Sequence, residues 1–123
     1  MLATCVFAAP ADAQPESARQ LPLRLGLGPE RGRCLGGAGE AGVAAVRRIV
    51  SLELRGRLAE EGDEEVTQAD ARCAAGARVV LEVRDGLTGK VLRRTLALGG
   101  EDPRARPRLL ALGLVELVAA SWT

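Results

Sequence analysis

Three glycines near the start of the chain are spaced as in a dinucleotide-binding loop. Gly37, Gly39 and Gly42 spell G-x-G-x-x-G, and a helical-looking run follows them. In that motif the backbone approaches a pyrophosphate held on a helix N-terminus, and a buried parallel strand directly precedes the first glycine. Here residues 29–35 (PERGRCL) predict a turn instead. We therefore interpret the three glycines as a flexible lead-in to a helix, with nucleotide binding as the alternative.

Two further patterns suggest ligand chemistry but lack the required spacing. Lys90 follows a glycine, as in a phosphate-binding loop, yet Arg84 stands where the first glycine belongs and Val91 replaces the Ser or Thr. The acidic run 60–65 (EEGDEE) lacks the alternating oxygen ligands and the distant glutamate of a calcium loop. We expect a solvated turn there, and neither a metal nor another cofactor in the protein.

The composition argues against the common catalytic groups. The chain has 123 residues, which suits one domain, and its 17 basic and 16 acidic residues give a net charge of +1. That balance gives no reason to expect nucleic acid as a partner. Histidine and tyrosine are absent, so Ser-His-Asp catalysis, Cys-His catalysis and histidine-based metal sites are excluded. Glu53 and Glu116 remain as candidate acids, and nothing in the sequence pairs them, so we predict that the protein is not an enzyme.

The first residues are typical of an export signal. An apolar run at 2–9 precedes an A-x-A site, which predicts cleavage between Ala13 and Gln14 and a signal peptide at 1–13. No basic residue precedes the run, which indicates a coding sequence that begins upstream. The alternative is a cytoplasmic domain whose apolar start is part of its core. Cys5 stands near a lipobox, but apolar sequence continues beyond it, so lipidation is not expected.

The cysteines support the same interpretation. Removal of the signal peptide removes Cys5 and leaves Cys34 and Cys73, an even number. In an oxidising compartment these two are expected to form a disulfide. Two buried free thiols are the alternative. The chain has no C-x-x-C motif, which argues against a redox-active dithiol or a zinc ribbon.

Hydrophobic periodicity predicts an α+β fold after a disordered tail at 14–20. The expected order is β-α-β-β-β-α: a two-layer sandwich in which two helices cover a mostly antiparallel sheet, forming a single domain at 21–123. The run 50–54 also alternates as a strand would, so its assignment to the first helix stays open. The predicted elements are a strand at 21–27, a helix at 40–57, a weak strand at 66–73, a hairpin at 77–98 and a helix starting near 102–103 that is apolar from 108 to 122.

One polar pair is expected between these layers. Arg94 shares a strand face with three leucines, and Glu116 is the only acid of the last helix. Because a buried charge needs a partner, we predict an Arg94–Glu116 ion pair, with Glu53 as the rival acid. Trp122 is expected to fill the protein's own core, and a contact with a partner is the alternative.

The segments VVLEVRDGLTGKVLRRTLALGG and RLLALGLVELVAASW resemble the N-terminal periplasmic domain of uncharacterised envelope proteins of GC-rich Gram-negative bacteria. The resemblance covers roughly residues 21–122 and brings no assigned activity. It implies an exported domain, periplasmic or associated with the outer membrane, that binds an unknown envelope protein or assembles with it. In that group a proline-rich linker and a membrane or β-rich region often follow. Because this chain ends at Thr123, we expect a truncated frame or a free-standing version of the domain.

Overall fold

The structure, a computed structural model, describes residues 21–27, 34–35, 39–55 and 58–123. The predicted signal peptide at 1–13, with Cys5, and the predicted tail at 14–20 lie outside the described residues. The other predicted elements lie within the described residues, apart from residues 56–57 at the end of the predicted first helix.

Four strands form one sheet in the order β1-β2-β3-β4. They are β1 (Leu23–Leu27), β2 (Thr67–Ala74), β3 (Arg78–Arg84) and β4 (Val91–Ala97). The last three pair antiparallel in chain order, as short turns between them require, and β1 pairs parallel to β2. The sheet is therefore mostly antiparallel, as the alternation of apolar residues predicts.

In the described part of the chain, two helices complete the order β-α-β-β-β-α and confirm the predicted α+β sandwich. α1 (Gly39–Leu54) connects the two parallel strands, and its extent shows that the ambiguous run 50–54 is helical. α2 (Arg106–Ser121) follows a short 3₁₀ turn. Asp102 caps that turn by accepting a hydrogen bond from the Arg104 N–H, and Pro103 occupies its first position. Among the described residues, no helix is both long and apolar enough to cross a membrane.

The core lies between the helices and one face of the sheet. The strand register aligns Leu25, Ala69 and Val83 on that face. They belong to one cluster with the buried face of α1 and the apolar side of α2. At Gly113 helix α2 comes very close to the sheet, because a Cβ there would lie 2.8 Å from Leu96 Cδ1.

Candidate functional site

No helix of the described residues covers the second face of the sheet, which we call the open face. Its side chains are all exposed or half-buried. They include five arginines but only two carboxylates among the described residues, so this face is positively charged although the whole chain is nearly neutral. The charged residues of the open face are Arg24, Asp70, Arg72, Arg78, Glu82, Arg84 and Arg93.

Glu82 lies at the centre of this face with arginines around it. It is directly opposite Arg93 on β4, whose Nε donates a hydrogen bond of 2.5 Å to Glu82 Oε2. That hydrogen bond is the main reason why the pKa of Glu82 lies below its usual value of 4.5, and the positive charges of Arg93, Arg84 and Arg72 lower it further. Three guanidinium groups therefore act on one carboxylate, and the cluster keeps a net positive charge.

Asp70, the other acid of the open face, turns away from Glu82. The two carboxylates occupy directly opposite positions on β2 and β3, an arrangement that is unfavourable for like charges. Asp70 accepts a hydrogen bond of 2.9 Å from Gln68 Nε2, and its Oδ1 occupies the space that a Cβ would take at Gly26. The absence of a side chain at Gly26 thus lets Asp70 lean toward β1.

The turn between β3 and β4 is held by one buried aspartate. Asp85 is 5% exposed, and its carboxylate accepts hydrogen bonds from the Leu87 N–H (3.3 Å) and from Thr88 Oγ1 (2.7 Å). Gly86 lies so close to the backbone of Val66 that a Cβ would overlap the Val66 carbonyl oxygen. These contacts fix the register of β4, and with it the position of Arg93 opposite Glu82.

Strand β4 lies at the edge of the sheet, and the peptide groups on its outer side form no hydrogen bonds with another described strand. The bonds from the Asp85 N–H to the Lys90 carbonyl and from the Leu98 N–H to the Ala77 carbonyl mark the hydrogen-bonded positions of the hairpin. Because these positions alternate along an antiparallel strand, the even-numbered residues 92–96 bond to β3. The N–H and C=O groups of Val91, Arg93, Thr95 and Ala97 therefore point away from the sheet, at its edge.

The predicted Arg94–Glu116 pair forms, but it is not buried. Arg94 Nη1 lies 2.6 Å from Glu116 Oε1, and the two side chains are 48% and 67% exposed. The expectation of an ion pair inside an apolar layer is wrong because β4 is an edge strand that α2 covers only in part. A pair this exposed stabilises the fold by no more than about 1 kcal/mol. The rival acid, Glu53, is exposed on α1.

The predicted disulfide is present. Cys34 and Cys73 are joined with a Cα–Cα distance of 5.6 Å, and Cys34 is 1% exposed. The short segment at 34–35 is also held by Arg106 at the start of α2, whose Nη1 donates to the Cys34 carbonyl oxygen at 3.4 Å. The disulfide and this hydrogen bond connect the segment before α1 to β2 and to α2.

The structure describes two of the three glycines in the G-x-G-x-x-G pattern. Gly37 lies outside the described residues, while Gly39 opens α1 and Gly42 is buried in its first turn. Strands β1 and β2, which α1 connects, pair parallel, and this was not predicted from the sequence. However, β1 ends at Leu27, and of residues 28–36 the structure describes only Cys34 and Leu35, neither of which lies in a strand.

The acidic run at 60–65 forms a turn beside β1. The Asp63 carboxylate accepts a hydrogen bond of 2.7 Å from the Glu60 N–H, and Arg24 Nη2 donates to the Asp63 carbonyl oxygen at 3.3 Å. No group of three or more potential metal ligands occurs among the described residues. The two hydrogen bonds and the exposure of most side chains of this run suit a solvated turn.

Trp122 packs against the core, as expected. The residue is half-buried, and its indole Nε1 donates a hydrogen bond of 3.1 Å to Thr67 Oγ1 on β2. Thr67 is fully buried. The contact ties the end of α2 to the start of β2.

The Glu82–Arg93 pair was not predicted from the sequence, although the hairpin carries its signal. Counting outward from the turn places these two residues opposite each other. The chain matches no family model, no curated protein and no solved structure. Its function is therefore inferred from the disulfide, the open face and the edge of β4.

Proposed function

We propose that this protein is exported and serves as a non-catalytic binding or assembly module of the periplasm or the outer membrane. The observation that carries the proposal is the Cys34–Cys73 disulfide. Structural disulfides persist in oxidising compartments and are rare in the cytosol. The export signal expected at 1–13 supports it, because its removal would also remove Cys5 and leave an even number of cysteines.

Binding is favoured over catalysis by the state of the acids. A general acid at neutral pH needs a raised pKa, and the pKa of Glu82 is lowered by its arginine neighbours. Glu116 is exposed and engaged by Arg94. The resemblance to envelope proteins further supports a module within a larger outer-membrane protein.

The test is the intact mass of the protein, expressed with its native upstream coding sequence in a Gram-negative host. We expect loss of everything before Gln14 and a gain of two hydrogens on reduction. An Ala13→Leu variant is the control for cleavage, since the site needs a small residue. A Cys34→Ser variant is the control for the disulfide.

An uncleaved chain with free thiols would contradict the proposal. The alternative is a small cytoplasmic α+β domain with a nucleotide-binding glycine loop. It would then be tested by nucleotide titration of the native chain and of a Gly37→Val variant.

A further inference from the structure

We infer that the outer edge of β4 accepts an extended segment of a partner protein in which acidic residues alternate with apolar ones. This segment would add a fifth strand to the sheet. The inference rests on the proposed binding function and assigns its surface and the chemistry of its partner. Addition of a strand to a free sheet edge is a general mode of peptide recognition, in which backbone hydrogen bonds hold the peptide and side chains select it.

The two edges of the sheet differ in how many of their backbone groups can bond to an added strand. At β1, the Leu23 carbonyl oxygen accepts a hydrogen bond of 2.7 Å from the Ala59 N–H, and Leu58 forms a parallel bridge to Leu23. At β4, four residues direct their peptide groups outward, and nothing among the described residues pairs with them. An added strand therefore has a complete set of backbone partners only at β4.

The charge of the open face selects acidic side chains in the added strand. A partner residue that bonds to the outward peptide groups of β4 projects its side chain onto the open face, beside Arg93. Arg93 is 72% exposed at its side chain, and Glu82 is its only acidic partner among the described residues. Arg84 and Arg72 form no ion pair within the described part of the chain. Carboxylates on the partner would balance this excess of positive charge.

The opposite side of β4 selects apolar residues at the alternate positions. Leu92 and Leu96 point toward the helix layer but stay half-buried, because α2 covers β4 only in part. Apolar side chains of an added strand would lie beside these leucines and complete their removal from water. The partner segment is therefore acidic on one face and apolar on the other.

A second copy of this chain fits the edge less well. In antiparallel self-pairing centred on Arg93 or on Arg94, an arginine faces its own copy, which is destabilising. A charged residue such as Arg94, directed toward the helix layer from the middle of an edge strand, is typical of edges protected against self-association. These two arginines disfavour self-pairing, and Arg93 favours a segment with acidic residues on the open face.

The test uses a fluorescein-labelled peptide of alternating Glu and Val, as long as β4, titrated with the purified protein in an anisotropy assay. A Gln and Val peptide is the control for charge. Thr95→Pro removes one outward N–H and leaves the bonds to β3 intact, with Thr95→Val as its matched control. Val91→Pro, at the first residue of the strand, is the second variant if Thr95→Pro fails to fold. Arg93→Gln removes the charge, with Arg47→Gln on α1 as control.

We expect the Glu and Val peptide to bind, and both Thr95→Pro and Arg93→Gln to weaken binding by at least about tenfold. The two control variants should bind as the native chain does. No binding at about 1 mM protein, equal binding of the Gln and Val peptide, or binding that survives the proline variants would overturn the inference. So would a dimer in light scattering that Thr95→Pro dissociates, since a second copy would then occupy the edge. Export is measured separately by intact mass, so either proposal can fail alone.

Discussion

Opening the Cys34–Cys73 disulfide should remove a large part of the stability of this domain. The bridge closes a loop with a sequence separation of 39. For a loop of that length, loop-closure entropy contributes about 13 cal/mol/K, or about 4 kcal/mol at 25 °C. Small domains are stable by only about 5–15 kcal/mol, so the reduced chain keeps a small margin. Because Cys34 is buried and its carbonyl oxygen is held by Arg106, the reduced thiol can remain in place, and the loss should come mainly from the unfolded state.

The assay is urea unfolding followed by the fluorescence of Trp122, which is the single tryptophan of the chain. Comparison of the oxidised and reduced protein should show the unfolding midpoint lowered by about 2 M urea. A double variant, Cys34→Ala with Cys73→Ala, should unfold near the reduced protein and should not respond to reductant. Coincident unfolding curves for the oxidised and reduced chains would refute the reasoning, because the loop would then contribute no constraint.

Three other changes test the positions of individual side chains. Gly86→Ala should lower the free energy of unfolding by about 1–3 kcal/mol, because the new Cβ would overlap a backbone carbonyl. Gly62 has open space around it, so Gly62→Ala should change the free energy of unfolding by less than about 0.5 kcal/mol in the same denaturation experiment. Thr67→Val should cost about 1 kcal/mol in thermal unfolding, because the tryptophan indole loses its acceptor, whereas Thr67→Ser should retain most of the stability. Because the folded pKa of Glu82 is lowered, its contribution to stability is complete above the unfolded pKa and is lost as the pH falls through the folded pKa, below 4.5. An NMR titration should show this pKa rising toward 4.5 in the Arg93→Gln variant, and an unchanged pKa would contradict the assignment of the hydrogen bond.

Much of the fold could be predicted because its signals are local. In the hairpin, Val79, Leu81 and Val83 recur at every second position before an Asp-Gly turn, and this spacing indicates a strand with one buried face. The Arg94–Glu116 contact followed from the face of β4 and the single acid of the last helix. The exposure of this pair could not be predicted, because it depends on how far α2 extends over the edge strand.

The candidate site depends more than the fold does on contacts between residues that are far apart in the sequence. The arginines of the open face are scattered from Arg24 to Arg93 in the sequence, and only the register of four strands collects them on one surface. No local pattern marks Glu82 as the carboxylate that these arginines surround. A counting argument within the hairpin relates it to Arg93, but not to Arg72 on the preceding strand.

By itself, the sequence determined the order of the elements and the absence of histidine chemistry, and it favoured the pairing of Cys34 with Cys73. Each depends on composition, on periodicity over a few residues or on the number of cysteines. Only the tertiary structure decided that β1 and β2 run parallel, that the Arg94–Glu116 pair faces water and that no described strand pairs with the outer edge of β4. The reason is physical: side-chain period and turn chemistry act between neighbours along the chain, whereas strand order and helix position are set by the packing of the whole core.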